Sequence, residues 1–250
     1  MSGVAVRIDG DVAHLTLSRP GKRNALARFM HHHLGAAIEA VRTEPDVRFV
    51  VLRGAGGTFS AGGDLAELMA GLPDGYLADY RIRMQRSVLA LRTLDQVVVS
   101  VVEGVAVGAG AALALAADIV VAARDSRWRF SFGHVGFVPD AGSTLAIARA
   151  AGLPLARDLL LTGRWLDAAE AERIGLIART AAPDQLDEAV TGLLDELRQS
   201  PPISSAMTKD LLESLANADF AAAVRTEGAY QAAIGSHAQH RAHRRQRFGA

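Results

Sequence analysis

Two glycine-rich turns hold the residues of this chain best placed for chemistry. The first is Thr58-Phe59-Ser60-Ala61-Gly62-Gly63-Asp64 and the second is Gly104-Val105-Ala106-Val107-Gly108-Ala109-Gly110. Each follows a continuous apolar run that reads as a buried strand, Phe49 to Leu52 and Val97 to Val102. Each also precedes a helix start, where unpaired N–H groups and a partial positive charge are exposed. Small side chains let a ligand reach the backbone itself. Two such turns facing one point would offer two N–H donors to one oxygen and stabilise an enolate or oxyanion. Taken singly, the commoner use of such glycines is tight packing. Neither turn is a dinucleotide fingerprint, because no G-x-G-x-x-G follows a strand, and neither is a P-loop, because no Gly-Lys-Ser/Thr closes it.

Other reactive residue types narrow the chemistry. The chain has no cysteine, which excludes disulfides, thiolate catalysis and Cys-based zinc or iron–sulfur sites. His31-His32-His33 cannot chelate one metal, because consecutive helix residues point in different directions; a solvated helix face is expected there. A Ser–His–Asp hydrolase has little support: no G-x-S-x-G is present, and Ser60 and Ser143 lack any local sign of a partner base.

The elements that must position the turns follow from hydrophobic period. The 250 residues, half of them apolar, suffice for one sizeable core. Val4 to Ile8 and Val12 to Leu17 flank Asp9-Gly10-Asp11 and predict a β-hairpin. Leu26, Phe29, Met30, Leu34, Ala37, Ile38 and Val41 share one helical face, and Pro45 stops that helix. A short helix is expected over Asp64 to Met69. A longer one over Tyr80 to Leu94 turns Met84, Val88 and Leu91 inward. Gly108 to Ala117 should be a small-residue helix, Ile119 to Ala122 a strand, and Ser143 to Ala151 and Leu155 to Thr162 separate helices. A helix over Ala168 to Ile174, a strand over Ile177 to Thr180, and helices over Pro183 to Gln199 and Ile203 to Ala216 complete the reading. This alternation indicates an α/β fold with a largely parallel sheet, in which two similar strand–turn–helix passages bring both turns to one site.

Charge and hydropathy limit the partners. Positive and negative charges balance at 27 each, so neither nucleic acid nor an anionic membrane is favoured. The most hydrophobic stretch, Val97 to Ala123, is broken by Glu103 and Asp118 and reads as a buried strand and helix rather than a membrane span. Met1 to Gly10 carries no signal pattern, and with the absence of cysteine this fits the cytoplasm.

Four segments together carry a resemblance. Pro20-Gly21-Lys22-Arg23-Asn24-Ala25-Leu26, Phe59 to Leu65, Gly104 to Gly110, and Gly136-Phe137-Val138-Pro139-Asp140-Ala141-Gly142 resemble, in order and spacing, the signature segments of the crotonase (enoyl-CoA hydratase/isomerase) superfamily. Leu160 to Arg164 and Ala169 to Leu176 resemble its later helical segment. The resemblance implies a spiral of ββα units over residues 1–195 and a C-terminal helical region over 196–250 that drives trimerisation, often into a dimer of trimers. It implies an acyl-CoA thioester as substrate, with coenzyme A entering as part of that substrate and no separate cofactor or metal. The thioester oxygen would sit between the amides of Ala61 and Ala109. Coenzyme A would lie along the first turn, touching Ala25, Ala61, Gly63, Asp64 and Leu65, with phosphates near Lys22 or Arg23, and Gly108 and Phe132 would line the acyl side.

Hydratases of the superfamily use two glutamates, and the matching positions here are Ala112 and Phe132. Neither side chain can move a proton. The run Phe130 to Ser143 resembles the PaaG-like isomerase branch, in which the aspartate matching Asp140 moves the proton. Desolvation beside an acyl pocket would raise its pKa. The plain alternative for Asp140 is an N-cap. An enoyl-CoA isomerase that shifts a double bond or rearranges a ring thioester is therefore expected. Hydration, hydrolysis, decarboxylation or acyl-CoA binding without catalysis are the alternatives. His134 could line the acyl pocket or face solvent. The basic end, His240 to Arg247, could be a solvated tail, a nucleic-acid patch, or a lid over a neighbour's coenzyme A phosphates.

Overall fold

A computed structural model describes residues 3–70, 75–215 and 218–249. The chain opens with β1 (Gly3–Asp9) and β2 (Val12–Ser18), paired antiparallel around Gly10, whose φ of 57° suits glycine in the tight turn. Then come α1 (Arg28–Arg42), β3 (Phe49–Gly54), α2 (Leu65–Met69), α3 (Tyr76–Arg92), β4 (Val97–Val102), β5 (Val105–Val107) and α4 (Ala109–Leu115). Next are β6 (Ile119–Ala123), β7 (Arg127–Arg129), α5 (Ser143–Thr162), β8 (Trp165–Asp167), α6 (Ala168–Arg173) and β9 (Arg179–Ala181). Four helices finish the chain: α7 (Leu186–Arg198), α8 (Pro202–Ser214), α9 (Phe220–Gly235) and α10 (Ala238–Phe248).

The main sheet has the order β1-β2-β3-β4-β6-β9, parallel except for the first hairpin. Its central strands read as continuous apolar runs because both faces are covered. Val50, Leu52, Val98 and Val102 enter the larger core beneath α1, α3 and α4. Phe49, Val51, Val97, Val99 and Val101 face the other way, onto Leu186, Val190, Leu193 and Leu194 of α7. β3 and β4 are adjacent, with Phe49 opposite Val97 and Arg53 opposite Val101. Their C-terminal ends therefore emerge side by side, and so do the two glycine-rich turns. A second sheet, β5-β7-β8, lies over this edge with Trp128 fully buried on it. Its three-residue strands are too short to show a period in the sequence.

Most expected elements are present. The apolar face of α1 buries Met30, Leu34, Ala37, Ile38 and Val41, and Met84, Val88 and Leu91 of α3 point inward. The two helices expected around residues 143–162 form one element bent at Gly152, which leaves helical geometry at φ 74° just before Pro154. Residue 216, the expected end of α8, lies outside the described residues. α8 is tied to the core by Lys209, whose Nζ donates to the carbonyls of Leu94 and Gln96 at 2.8 and 2.6 Å and pairs with Asp118 at 2.7 Å. Burial raises the Asp118 pKa, and Lys209 opposes that rise. α8 and α9 bury no side chain and leave Leu212, Phe220 and Val224 exposed. No helix among the described residues is long and apolar enough to cross a membrane.

The histidine triplet corrects one expectation. The face of α1 that carries it is not uniformly solvated: His31 is buried, His32 lies 3.0 Å from Arg83, and His33 packs edge-on against Phe29. Burial lowers the His31 pKa from 6.5 to about 4, so the ring is neutral in the folded protein. The unfolded chain binds the proton more tightly, so this contribution to stability is complete above pH 6.5 and is lost as pH falls towards 4. The loss should reach about 3 kcal/mol. Urea unfolding at pH 7.5 and pH 4.5 measures it: His31→Met should lose markedly less stability than the wild type, and parallel losses would refute the assignment.

Candidate active site

The first turn is held by residues that precede it by some forty positions. Arg23 and Asn24 both adopt left-handed backbone, φ 47° and 54°, a conformation that asparagine tolerates better than most residues. Asn24 is fully buried. Its side-chain amide donates to the carbonyls of Ala55 and Thr58 at 2.9 and 2.7 Å, and its Oδ1 accepts from the Arg19 amide at 2.8 Å. The Ser60 hydroxyl donates to the Asn24 carbonyl at 2.8 Å and accepts from the Gly62 amide at 3.2 Å. Ser60 is thus structural and not a nucleophile.

Asp64 closes the turn. It accepts from Arg19 Nη1 at 2.5 Å and caps α2 by accepting from the amides of Ala66 and Glu67 at 2.9 and 3.4 Å. Burial pushes its carboxyl up, but Arg19 and the two amides outweigh burial and hold it below the usual carboxylate range. Its work is to fix the loop.

This bracing decides which amides are open. The Ala61 amide is not: it donates to the Arg23 carbonyl at 2.9 Å, so the expectation that Ala61 supplies a donor to the site is corrected. The left-handed Arg23 places that carbonyl on it. Gly63 is different. Leu26 donates to the Gly62 carbonyl at 2.7 Å and accepts from the Asp64 amide at 3.3 Å, forming a parallel bridge that flanks Gly63. In such a bridge the flanked residue's own N–H turns away from its partner strand. Among the described residues no internal acceptor takes it. The alternation was a usable sequence signal: Gly63 is the last residue before the capping Asp64.

On the second turn, Ala109 is the first residue of α4, after Gly108 at φ 50°, ψ −121°, a conformation open to glycine alone. The Ala109 N–H has no internal acceptor among the described residues, and Ala112 is the residue whose amide bonds back to the Gly108 carbonyl, at 3.0 Å. The turns touch. A Cβ added to Gly62 would lie 2.5 Å from the Val107 carbonyl oxygen and 3.7 Å from the Ala109 nitrogen. One added to Gly110 would lie 2.7 Å from Ser60 Cβ. Gly62 and Gly110 therefore serve packing, and the packing is what brings the Gly63 and Ala109 amides to one place.

Gly63 and Ala109 both line a cavity of about 470 Å³, within the range of ligand pockets. Ala61, Leu65, Leu68, Gly108 and Phe132 line it together with Val135 and the run from Phe137 to Asp140. Asp140 is the one ionisable side chain lining it among the described residues. The Asp140 carbonyl accepts from the Ser143 amide and hydroxyl at 3.0 and 2.8 Å, across a turn in which Ala141 and Gly142 are both left-handed. Ala141 at φ 52° costs about 1 kcal/mol, a strain of the kind that gathers at functional sites. Gly142 occupies the cap position of α5, and no side chain caps that helix, so Asp140 is not its N-cap.

The remaining candidates are spread out. Ala25 is buried under the first turn, while Lys22 and Arg23 are exposed beside it. His134 stays outside the cavity, with Nε2 2.9 Å from the Thr162 carbonyl and Nδ1 3.0 Å from Arg129. On α10, Arg247 donates to Gln199 at 3.1 Å and Arg241 to the Ser236 carbonyl. Gln85 and Ser131, which also line the cavity, carry no motif that would have marked them.

A parallel sheet whose successive turns meet over one cavity, followed by a helical C-terminus, defines an α/β protein of the crotonase fold. The chain belongs to the enoyl-CoA hydratase/isomerase family, whose family model matches residues 7–248. It is 31% identical over 245 residues to the 1,2-epoxyphenylacetyl-CoA isomerase of Escherichia coli, covering 96% of this chain and 93% of that one. A Thermobifida fusca protein solved in complex with acetoacetyl-CoA superposes with a TM-score of 0.86 at 36% identity, covering 93% of this chain and 94% of the other. An enoyl-CoA hydratase from Polaromonas superposes at 0.89 with 29% identity, covering 94% and 93%.

Proposed function

We propose that this enzyme shifts a double bond, or rearranges a ring, in an acyl group carried on coenzyme A. The observation that carries the reading is Asp140, the one ionisable side chain among the described residues lining a cavity whose wall also carries Gly63 and Ala109, the residues with open amides. The thioester oxygen accepts from the amides of Gly63 and Ala109. Coenzyme A lies along Ala61 to Leu65, with Lys22 and Arg23 near its phosphates. In a 3-enoyl thioester, the Asp140 carboxylate takes a proton from the α carbon. The C–H electron pair moves into a dienolate, whose negative charge rests on the oxygen between the amides. The protonated Asp140 returns the proton to the γ carbon, giving the 2-enoyl isomer. One proton leaves and one arrives, so neither water nor another cofactor is consumed. Low polarity around the oxygen strengthens both hydrogen bonds.

A second reading, addition of water across the double bond, draws support from the hydratase name of the Polaromonas relative. Asp140 would then activate water. Incubation of 3-enoyl- and 2-enoyl-CoA thioesters with the enzyme, followed by mass spectrometry, separates the two. Isomerisation leaves the mass unchanged, whereas hydration adds one water. Products heavier by one water, with no isomer formed from any 3-enoyl or ring thioester, would overturn the proposal in favour of hydration.

A further inference from the structure

A second cavity, of about 480 Å³, lies behind the first. Gln85 lines both, and the backbone steps from Asp140 on the wall of one to Ala141 on the wall of the other. Its inner wall is apolar, formed by Val88, Leu115 and Ala116 with the single methyl of Ala112. Two guanidinium groups stand in it. Arg92 is paired with Glu213, whereas Arg149 has no hydrogen bond or ion pair among the described residues. The first cavity holds no cation at all among the described residues. The two cavities thus stand on either side of Gln85, one carrying two amides and a carboxylate, the other an apolar inner wall and a positive charge left over among the described residues.

We infer that the second cavity receives the far end of the acyl group and that Arg149 pairs with an anionic group there. The favoured substrates are then thioesters of medium-length acyl chains that end in a carboxylate. This rests on the acyl-CoA reading above and adds the substrate class. A four-carbon acyl group would end in the first chamber, while an eight-carbon chain would leave water for the apolar wall of the second. Each methylene buried there strengthens binding by up to about fourfold. A terminal carboxylate against a rim guanidinium adds up to about fivefold at low salt.

Titration calorimetry with three saturated thioesters tests this without requiring turnover: butanoyl-CoA, octanoyl-CoA, and the eight-carbon thioester carrying a terminal carboxylate. Octanoyl-CoA should bind at least about tenfold more tightly than butanoyl-CoA. The carboxylated ligand should bind more tightly still, by up to about fivefold, and that preference should vanish in Arg149→Gln. Ala112→Leu should erase the advantage of both eight-carbon ligands; Arg149→Gln, at an exposed position, keeps the test valid if the Ala112 variant does not fold. Equal binding of butanoyl and octanoyl thioesters, or a carboxylate preference that survives Arg149→Gln, overturns the inference alone. If none of the three binds, the acyl-CoA reading of the site fails, and the inference fails with it.

Discussion

Asp140→Asn is expected to lower turnover by about a thousandfold while acyl-CoA binding changes by less than about threefold, because a positioned acid–base group contributes between a hundred- and ten-thousandfold. Asparagine keeps the shape of the side chain and removes its charge and its ability to carry a proton. The backbone work of residue 140 is untouched, since its carbonyl and not its side chain accepts from Ser143. No helix cap is lost, because α5 is not capped by this residue. No other ionisable side chain among the described residues lines the cavity to take over the proton. Steady-state assay with a 3-enoyl thioester and calorimetry with a saturated one give the two readouts. Turnover within about tenfold of the wild type would remove Asp140 from the proton pathway, since even a weak general acid–base group contributes more.

What the sequence made legible, and what it did not, follows from the range of each interaction. The hairpin around Gly10, the inward faces of α1 and α3, and the break at Gly152 rest on local period and on glycine or proline at fixed places. They are found where the pattern put them. The convergence of the two turns was legible as well, because two buried runs followed by similar small-residue turns make adjacent parallel strands. The choice between Ala61 and Gly63 was not. It depends on a carbonyl some forty residues away, that of Arg23, and on the left-handed backbone that aims it. His31 escaped for a related reason. Polarity alone put all three histidines outside, whereas the face of α1 that carries Met30 and Leu34 extends far enough to take His31 inside.

The division of labour within the turns explains why glycine serves them twice over. At 62 and 110 the absence of a side chain lets one loop press on the other. At 108 it permits a backbone that turns the chain into α4 with the Ala109 amide exposed. Asn24, Ser60, Arg19 and Asp64 then absorb nearby polar groups through bonds of 2.5 to 3.2 Å, while the Arg23 carbonyl takes the Ala61 amide at 2.9 Å. The network leaves two donors unspent where they face the cavity. A preorganised pair of this kind needs no rearrangement when charge develops on the substrate oxygen.

Ala109→Pro isolates one of those donors. Residue 109 is the first of α4, the helix position at which proline is best accepted: its fixed φ suits the helix, and no internal bond uses that N–H. The melting temperature should therefore change by no more than about 3 °C. The variant nevertheless lacks the hydrogen that Ala109 offers to the thioester oxygen. Turnover should fall by a hundred- to a thousandfold, about 3 to 4 kcal/mol of barrier, as for loss of one such donor elsewhere. Proline also places a ring carbon where the hydrogen was, so a parallel Ala109→Gly variant is needed. Glycine keeps the N–H and removes only the methyl, and should stay within about tenfold of the wild type. If the proline variant folds and remains as active as the glycine one, charge on the substrate oxygen is not being held by this amide. The main-chain pair would then have to be abandoned as the source of catalysis, whatever Asp140 does.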